Sequence, residues 1–350
     1  MSKRARLAWF AAVAFVAIFG IGNLYLWIRE SLDGPSWWAI DYQLVVDAAN
    51  RLFDGSPLYA DPKYLYSPLA AVLGLPLTWV DPFAASVTYA VLKVGLAAAC
   101  TAALTPRWPA RDRAVATVGV VTCLPFLHDL FLGNANILIV ASMVPAVFGA
   151  SRFRNGVLLG LVAAAFPKPF VLPVLLWLLV WRRSSFLGAA VAGLVATAGA
   201  VLVAGPGAYV AWTGALAAGS MYASVFAGNH GVTALVPELW APVAAAVALG
   251  LVLVLWRRGP RVALAWAMTS GILLAPYAGT YAALPIALAL PAVGPLAPGF
   301  ALAIVAASPI ATTHPLPLYA AAILLVSIAL REPILHARSA GSVGLSDPSG

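Results

Sequence analysis

Runs of about twenty apolar residues, separated by short polar or basic punctuation, recur along almost the whole chain. A run of that length is what a helix needs to cross a bilayer's hydrocarbon core. Helix is the required conformation, because in lipid each backbone N–H and C=O must be satisfied within its own segment. An alternating barrel pattern is absent. The pattern predicts an all-α, polytopic transmembrane bundle of about 10–12 membrane segments, half-spans included.

The first run, Leu7 to Trp27, follows Lys3, Arg4 and Arg6 and continues into Leu-Trp-Ile-Arg-Glu. A cleaved signal peptide is shorter and ends at a small-residue site, so the reading is an uncleaved first span. Residues 68–80, "PLAAVLGLPLTWV", are too short to span and read as a juxtamembrane or re-entrant helix. Ala84 to Leu104 is the second full span. In "NGVLLGLVAAAFPKPFVLPVLLWLLVWRR" the Phe166-Pro167-Lys168-Pro169 stretch predicts a hairpin. Each of its arms has about 11 residues and reaches roughly half-way across the hydrocarbon. Residues 1–332 form one membrane domain, and the small, polar 333–350 reads as a disordered cytoplasmic tail.

One stretch breaks the apolar pattern. From Asp41 to Asp54, the residues Leu44, Val45, Ala48, Ala49 and Leu52 form one apolar stripe. Gln43, Asp47, Asn50, Arg51 and Asp54 face away, and Gly55 supplies a stop. This is an amphipathic helix on the membrane surface. Seven of the chain's twelve acids (Glu30, Asp33, Asp41, Asp47, Asp54, Asp61, Asp81) lie between positions 30 and 81.

Composition sharpens the class. The chain is 63% hydrophobic and only 9% charged, which excludes an ordinary soluble domain. Its mean hydropathy of +0.94 agrees. The formal charge of +8 raises the question of nucleic acid. Fifteen of the twenty Lys and Arg, however, sit in short clusters between apolar runs, at 3–6, 107–113, 152–154, 182–183, 257–261 and 331–338. That is the signature of cytoplasmic loops facing anionic lipid, so membrane lipids are partners and nucleic acid is not. With every cluster inside, both termini are cytoplasmic. The acidic stretch, 128–136, 204–233, 277–281 and 312–315 then lie outside. Cys100 and Cys123 fall in spans and read as packing residues.

Few residues are left to carry chemistry. Asp41 is either the N-cap of its helix or a general base at the water–lipid boundary. Asp47 and Arg51 are spaced for an i,i+4 surface pair. The tyrosines and prolines of "LYADPKYLYSP" suit an interfacial loop, in which Lys63 can meet a phosphate. "HDLFLGNANILI" puts His128, Asp129, Asn134 and Asn136 at the ends of two spans, as a tight turn or as sugar-binding amides. Lys168 at the hairpin tip is a functional candidate, because an ionisable group at membrane depth is expensive. Lys93, mid-span, is read as internally paired or snorkelling. Asn229 and His230 lie between glycines in a presented turn, and His314 stands in "ATTHPLP". No Walker A, zinc-ligand spacing or Gly-x-Ser-x-Gly elbow appears.

The order "DY…AANRLFDGSPLYADPKYLYSPLAAVLGLPL", "GNAN", a proline-lysine-proline hairpin and "GNHG" resembles the GT-C superfamily of polyprenol-phosphate-sugar-dependent glycosyltransferases. Within it the pattern is most similar to glycosyltransferase family 87, the mannosyltransferase-like DUF2029 group. The matching positions are Asp41-Tyr42, Ala48-Ala49, Gly55, Tyr59 and Tyr66-Ser67-Pro68-Leu69. The resemblance implies a GT-C-type bundle in the plasma membrane with an extracytoplasmic active site. It implies transfer of a hexose, mannose first, from a polyprenyl-phosphate donor to a glycan or glycolipid acceptor with inversion. Asp41 would be the base. Lys168, Lys63, Asn229 and His230 would serve the donor phosphate, and Tyr42, Tyr66, Asn134, Asn136, Tyr277 and Tyr281 the sugar or acceptor. The lipid-linked sugar is a substrate, and neither cofactor nor metal is expected. The family's late Ser-Trp-x-His type motif is missing here, where "LLAPYAGTYAALP" stands, and Tyr277, Tyr281 or His230 would take its place. The rival reading is a transporter or lipid flippase with Lys168 in a broken-helix site.

Overall fold

The computed structural model of the protein describes residues 3–33, 38–106, 108–224, 240–257, 259–274 and 284–285. Its described elements are all helical. In order they are α1 (Lys3–Asp33), α2 (Ile40–Phe53), α3 (Pro68–Gly74) running into a 3₁₀ turn (Leu75–Trp79), α4 (Pro82–Leu104), α5 (Ala110–Val121) and α6 (Leu124–Leu132). There follow α7 (Asn136–Phe148), α8 (Phe153–Ala165), α9 (Val171–Trp181), α10 (Arg183–Ala204), α11 (Pro206–Ser224), α12 (Trp240–Arg257) and α13 (Pro260–Leu274).

Among the described residues three helices are long and apolar enough to cross a membrane: Trp9–Arg29 within α1, Pro82–Leu104 and Arg183–Ala204. The pair α5 and α6, bent by 53° at its break, passes the same test as one broken span. The bend falls where Pro125 enters the first turn of α6, a position that cannot continue the preceding helix. Shorter apolar helices, among them α7, α8 and α9, fill the bundle. Leu7, Ile18 and Ile21 on α1 and Leu194, Val195 and Leu202 on α10 point outward. So much outward-facing apolar surface belongs against lipid. This is a helical membrane protein.

The expected hairpin is present. Arm α8 has 13 residues and arm α9 has 11, with the break at 166–170. Its packing is decided by small residues. A Cβ on Gly156 would collide with the Ser185 carbonyl, one on Gly160 with the Ala189 carbonyl, and one on Gly188 with the Phe153 carbonyl. Helices α8 and α10 therefore run side by side, backbone against backbone and in the same direction, as small-residue spacing in membranes permits. Because α8 and α10 are parallel, α9 must return antiparallel to both, and the Arg152/Arg154 and Arg182/Arg183 pairs share one end. The Arg182 guanidinium donates to the Gly149 carbonyl and Ser185 Oγ to the Arg152 carbonyl.

Further contacts bring other basic clusters to that end. Trp9 Nε1 donates to Asp112 Oδ1 at 2.8 Å, with Arg111 over the Trp9 ring. Leu104 and Phe148 line a common crevice. Trp177 Nε1 donates to the Pro260 carbonyl at 2.8 Å. The 331–338 cluster and the 333–350 tail lie outside the described residues.

Three expectations differ in detail. The stretch 204–233, read as an outer loop, is helical over Pro206–Ser224. Its alanines favour helix, and Pro206 sits at the first position, where its missing N–H costs nothing. Asp47 and Arg51 form no ion pair within 4 Å; Asp47 is exposed while Arg51 is half-buried with its Nη1 without a partner. Asp41 is not a cap. The residue before α2 is Ala39, in the left-handed region at φ 54°, with no side-chain cap. The amphipathic pattern itself is as expected, with Tyr42, Leu44, Val45, Val46, Ala48 and Ala49 buried. Cys100 and Cys123 are buried and free.

Candidate active site

The end of the bundle opposite the basic clusters gathers the start of α2, the end of α6, the start of α7 and the 166–170 break. The join is built from "GNAN". Helix α6 ends with Gly133 at φ 67°, a conformation suited to glycine. The Asn134 N–H donates to the Asp129 carbonyl and the Gly133 N–H to the Leu130 carbonyl, the pairing of a Schellman motif. A Cβ on Gly133 would fall 2.9 Å from Tyr42 Cβ and 3.1 Å from Ala39 Cα. The Ala39 N–H donates to the Phe131 carbonyl at 2.7 Å. The start of α2 is thus seated on the end of α6, which puts Asp41 over the turn.

Asp41 Oδ2 accepts a 2.6 Å hydrogen bond from Asn134 Nδ2. Beneath lies a buried polar network. Asn134 Oδ1 accepts from the Ala135 N–H (2.7 Å) and from Asn136 Nδ2 (2.9 Å). Asp129 Oδ1 accepts from the Asn136 N–H (3.2 Å) and its Nδ2 (3.0 Å). Lys93 Nζ reaches down from α4 to Asp129 Oδ2 at 2.7 Å, to the Asn134 carbonyl at 2.8 Å and to the Asp129 carbonyl. Lys93, Asp129 and Asn136 are wholly buried and Asn134 almost so. Tyr89, one turn before Lys93 on α4, donates to the Asn134 carbonyl at 3.1 Å.

The third side comes from "YSP" and the hairpin. Ser67 Oγ donates to the Ala164 carbonyl (2.6 Å) and the Ser67 N–H to the Ala165 carbonyl (3.3 Å), satisfying acceptors that the end of α8 leaves open. Pro68 then starts α3. This pins Tyr66 beside Phe166, ring centroids 5.2 Å apart, and sets Lys168 Nζ 5.3 Å from the centre of the Tyr66 ring. That is cation–π distance.

Asp41, Tyr42, Tyr66, Tyr89 and Phe166 line a cavity of about 390 Å³, closed by apolar side chains that include Leu77, Val80 and Leu138. The Tyr42 hydroxyl is buried on this wall without a hydrogen-bond partner. Burial pushes the Asp41 carboxyl above its ordinary range; the Lys168 ammonium opposes this most, then the Asn134 hydrogen bond. The site therefore holds a poised carboxylate on the wall of a space of small-ligand size, with the Lys168 cation against the Tyr66 ring of that wall.

Of the residues predicted from sequence, Asp41, Tyr42, Tyr66, Asn134, Asn136 and Lys168 meet here. Asn136 donates to Asp129 and Asn134 and is wholly buried, its Oδ1 without a hydrogen-bond partner, so it supports the turn. Lys63 is exposed and outside the cavity wall. Asn229, His230, Tyr277 and Tyr281, with His314, lie outside the described residues. Lys93 is internally paired, one of its two expected states. Tyr89 was not anticipated, although its i,i+4 spacing from Lys93 puts both on one helix face.

The model of glycosyltransferase family 87 matches residues 64–278, more than half of the chain. The chain belongs to glycosyltransferase family 87. The protein is accordingly a membrane glycosyltransferase, acting on a sugar donor and an acceptor. The family span takes in Tyr66, Asn134, Asn136 and Lys168 but begins after Asp41, Tyr42 and Lys63. The case for Asp41 therefore rests on its geometry. No curated protein and no solved structure matches the chain.

Proposed function

We propose that this family 87 enzyme transfers a hexose, mannose first, from a polyprenyl-phosphate donor to an extracytoplasmic glycan or glycolipid acceptor. The observation that carries the reading is Asp41, its carboxylate on the wall of the cavity, tied to Asn134 and facing the charge of Lys168. The acceptor hydroxyl loses its proton to Asp41 as its oxygen attacks the anomeric carbon. The bond from that carbon to the phosphate oxygen breaks in the same displacement, inverting the centre. Lys168 meets the charge developing on the departing polyprenyl phosphate. A lipid-linked donor cannot leave the bilayer, so this chemistry belongs at the membrane surface. In support, the site lies at the end away from the basic clusters, which are the cytoplasmic side by the positive-inside rule. The proposal places the enzyme in the plasma membrane with its termini inside, and its reaction includes no metal or cofactor.

Tyr42 and Tyr66 are the side chains proposed to meet the sugar or acceptor. Lys63, Asn229, His230, Tyr277 and Tyr281 keep their proposed places around donor and acceptor. The transporter reading loses its footing, since the family is one of glycosyltransferases. The test is to incubate purified protein with a panel of polyprenyl-phosphate sugars and measure free polyprenyl phosphate. Release from one hexose donor supports the reading, and release from none contradicts it.

A further inference from the structure

The polar network under Asp41 is larger than a base requires. Asn134 is held at each of its polar groups. Its N–H donates to Asp129, its carbonyl accepts from Lys93 and Tyr89, and its Oδ1 accepts from Ala135 and Asn136. Only Nδ2 is left to face Asp41. An asparagine amide has two orientations, and its neighbours decide between them. Were this amide reversed, its NH₂ would face the Ala135 N–H and the Asn136 NH₂, donor against donor. Its oxygen would then face the Asp41 carboxylate, acceptor against acceptor. Asn136 is the side chain that, with the Ala135 N–H and the Asp41 carboxylate, disfavours the reversed state, and its own main-chain N–H and Nδ2 both donate to Asp129 Oδ1. Asp129 is in turn held by Lys93.

We propose that Asn136, anchored by the buried Lys93–Asp129 ion pair, is a positioning residue that locks the Asn134 amide so that it donates to Asp41 Oδ2 and leaves Oδ1 for the acceptor hydroxyl. This rests on Asp41 being the base. A carboxylate with one oxygen tied keeps one rotamer, so its free oxygen is ready where the acceptor proton is lost. The hydrogen bond also favours the ionised form. The other groups facing Asp41 are Lys168 from the 166–170 break, Lys93 and Tyr89 from α4, Asp129 from α6, Tyr66 from the loop before α3 and Tyr42 from α2 itself. Asn136→Ala alters none of these charges.

The test reads Asp41 directly. The purified full-length protein is treated with dicyclohexylcarbodiimide, which modifies protonated carboxyls, across a pH series. The Asp41 peptide is quantified by mass spectrometry. Loosening the Asn134 amide weakens its donation and disfavours the carboxylate, so in Asn136→Ala the labelling midpoint moves to higher pH, by on the order of half a unit. The kcat falls at least about tenfold while donor KM stays within about twofold, the pattern of a group acting on the base and not on ground-state binding. Asn134→Ala, which removes the donation outright, shifts at least as far, and the double variant shifts no further than Asn134→Ala, because Asn136 acts only through Asn134. An unmoved midpoint in Asn136→Ala, or additive shifts in the double variant, overturns the proposal. If Asn136→Ala does not fold, Asn136→Leu keeps the volume, removes both side-chain donations and shows the same shift; no shift overturns it equally. The labelling requires no turnover, so it stands or falls separately from the base assignment, which fails instead if Asp41→Asn still transfers sugar.

Discussion

Replacing Lys93 with methionine removes one charge from a wholly buried ion pair and leaves the volume nearly unchanged. Both partners have 0% side-chain exposure, and Nζ lies 2.7 Å from Asp129 Oδ2. The ammonium is ion-paired with Asp129 Oδ2 and donates to two main-chain carbonyls. Methionine keeps the apolar stem but strands a buried carboxylate and two carbonyls. Removing one partner of such a pair costs about 3–5 kcal/mol. At roughly 2–4 °C per kcal/mol for chains of 150–250 residues, and less for longer ones, the apparent Tm should fall by about 5–10 °C. The assay is a thermal-shift series on detergent-purified protein at one scan rate, because the apparent Tm of an irreversible transition depends on scan rate. Lys93→Met/Asp129→Leu removes the stranded charge as well and should recover at least half of the loss, because a buried ion pair is weak in net terms. A Lys93→Met Tm within about 2 °C of wild type, or a double variant no better than the single, would refute the reasoning.

Other consequences are simpler to read. Gly160→Leu drives a side chain into the Ala189 backbone and should cost about 1–3 kcal/mol or more, whereas Leu158→Ala, on the exposed side of the same helix, stays near wild type in the same thermal assay. Lys168→Met should raise donor KM and lower kcat by at least about tenfold each with little loss of Tm; unchanged kinetics would end its role at the phosphate. The raised Asp41 carboxyl sets the acid limb of kcat/KM above the ordinary carboxylate value of about 3.9, with activity rising as Asp41 ionises. In stability the sign is opposite: the folded state holds that proton more tightly than the unfolded one, so this group's contribution is full at low pH and is lost as pH rises through the raised value.

Much of the fold was legible because lipid makes strict demands. The length of the apolar runs marked α1 and α4, and the amphipathic stripe marked α2 to within a residue at either end. The charge pairs Arg152/Arg154 and Arg182/Arg183 demanded a turn between them, and Pro167 and Pro169 supplied its place. Less legible was what packs on what. That Gly156 and Gly160 would bring α8 against α10, past the intervening arm, depends on a three-dimensional fit that spacing alone leaves open. In the site, Asp41 and Lys168 stood out because charges are rare in this chain. Their meeting with Asn134 was beyond local reasoning, since 93 residues separate Asn134 from Asp41. Asp41 as a cap failed for a related reason: a tertiary partner claimed the carboxylate, and the helix start is held by Ala39 on Phe131 instead.

The account turns on whether Asp41 takes the acceptor's proton, and a single substitution tests it. Asp41→Asn keeps the size of the side chain and an oxygen to accept from Asn134 Nδ2. It cannot take a proton at neutral pH. The measurement is the rate of free polyprenyl phosphate release by the purified variant and by wild type under single-turnover conditions, with Tm and donor binding recorded on the same samples. The account predicts a folded, donor-binding protein whose transfer rate is down by about 10² to 10⁴. A variant that transfers sugar within about tenfold of the wild-type rate would contradict it and take the base away from Asp41.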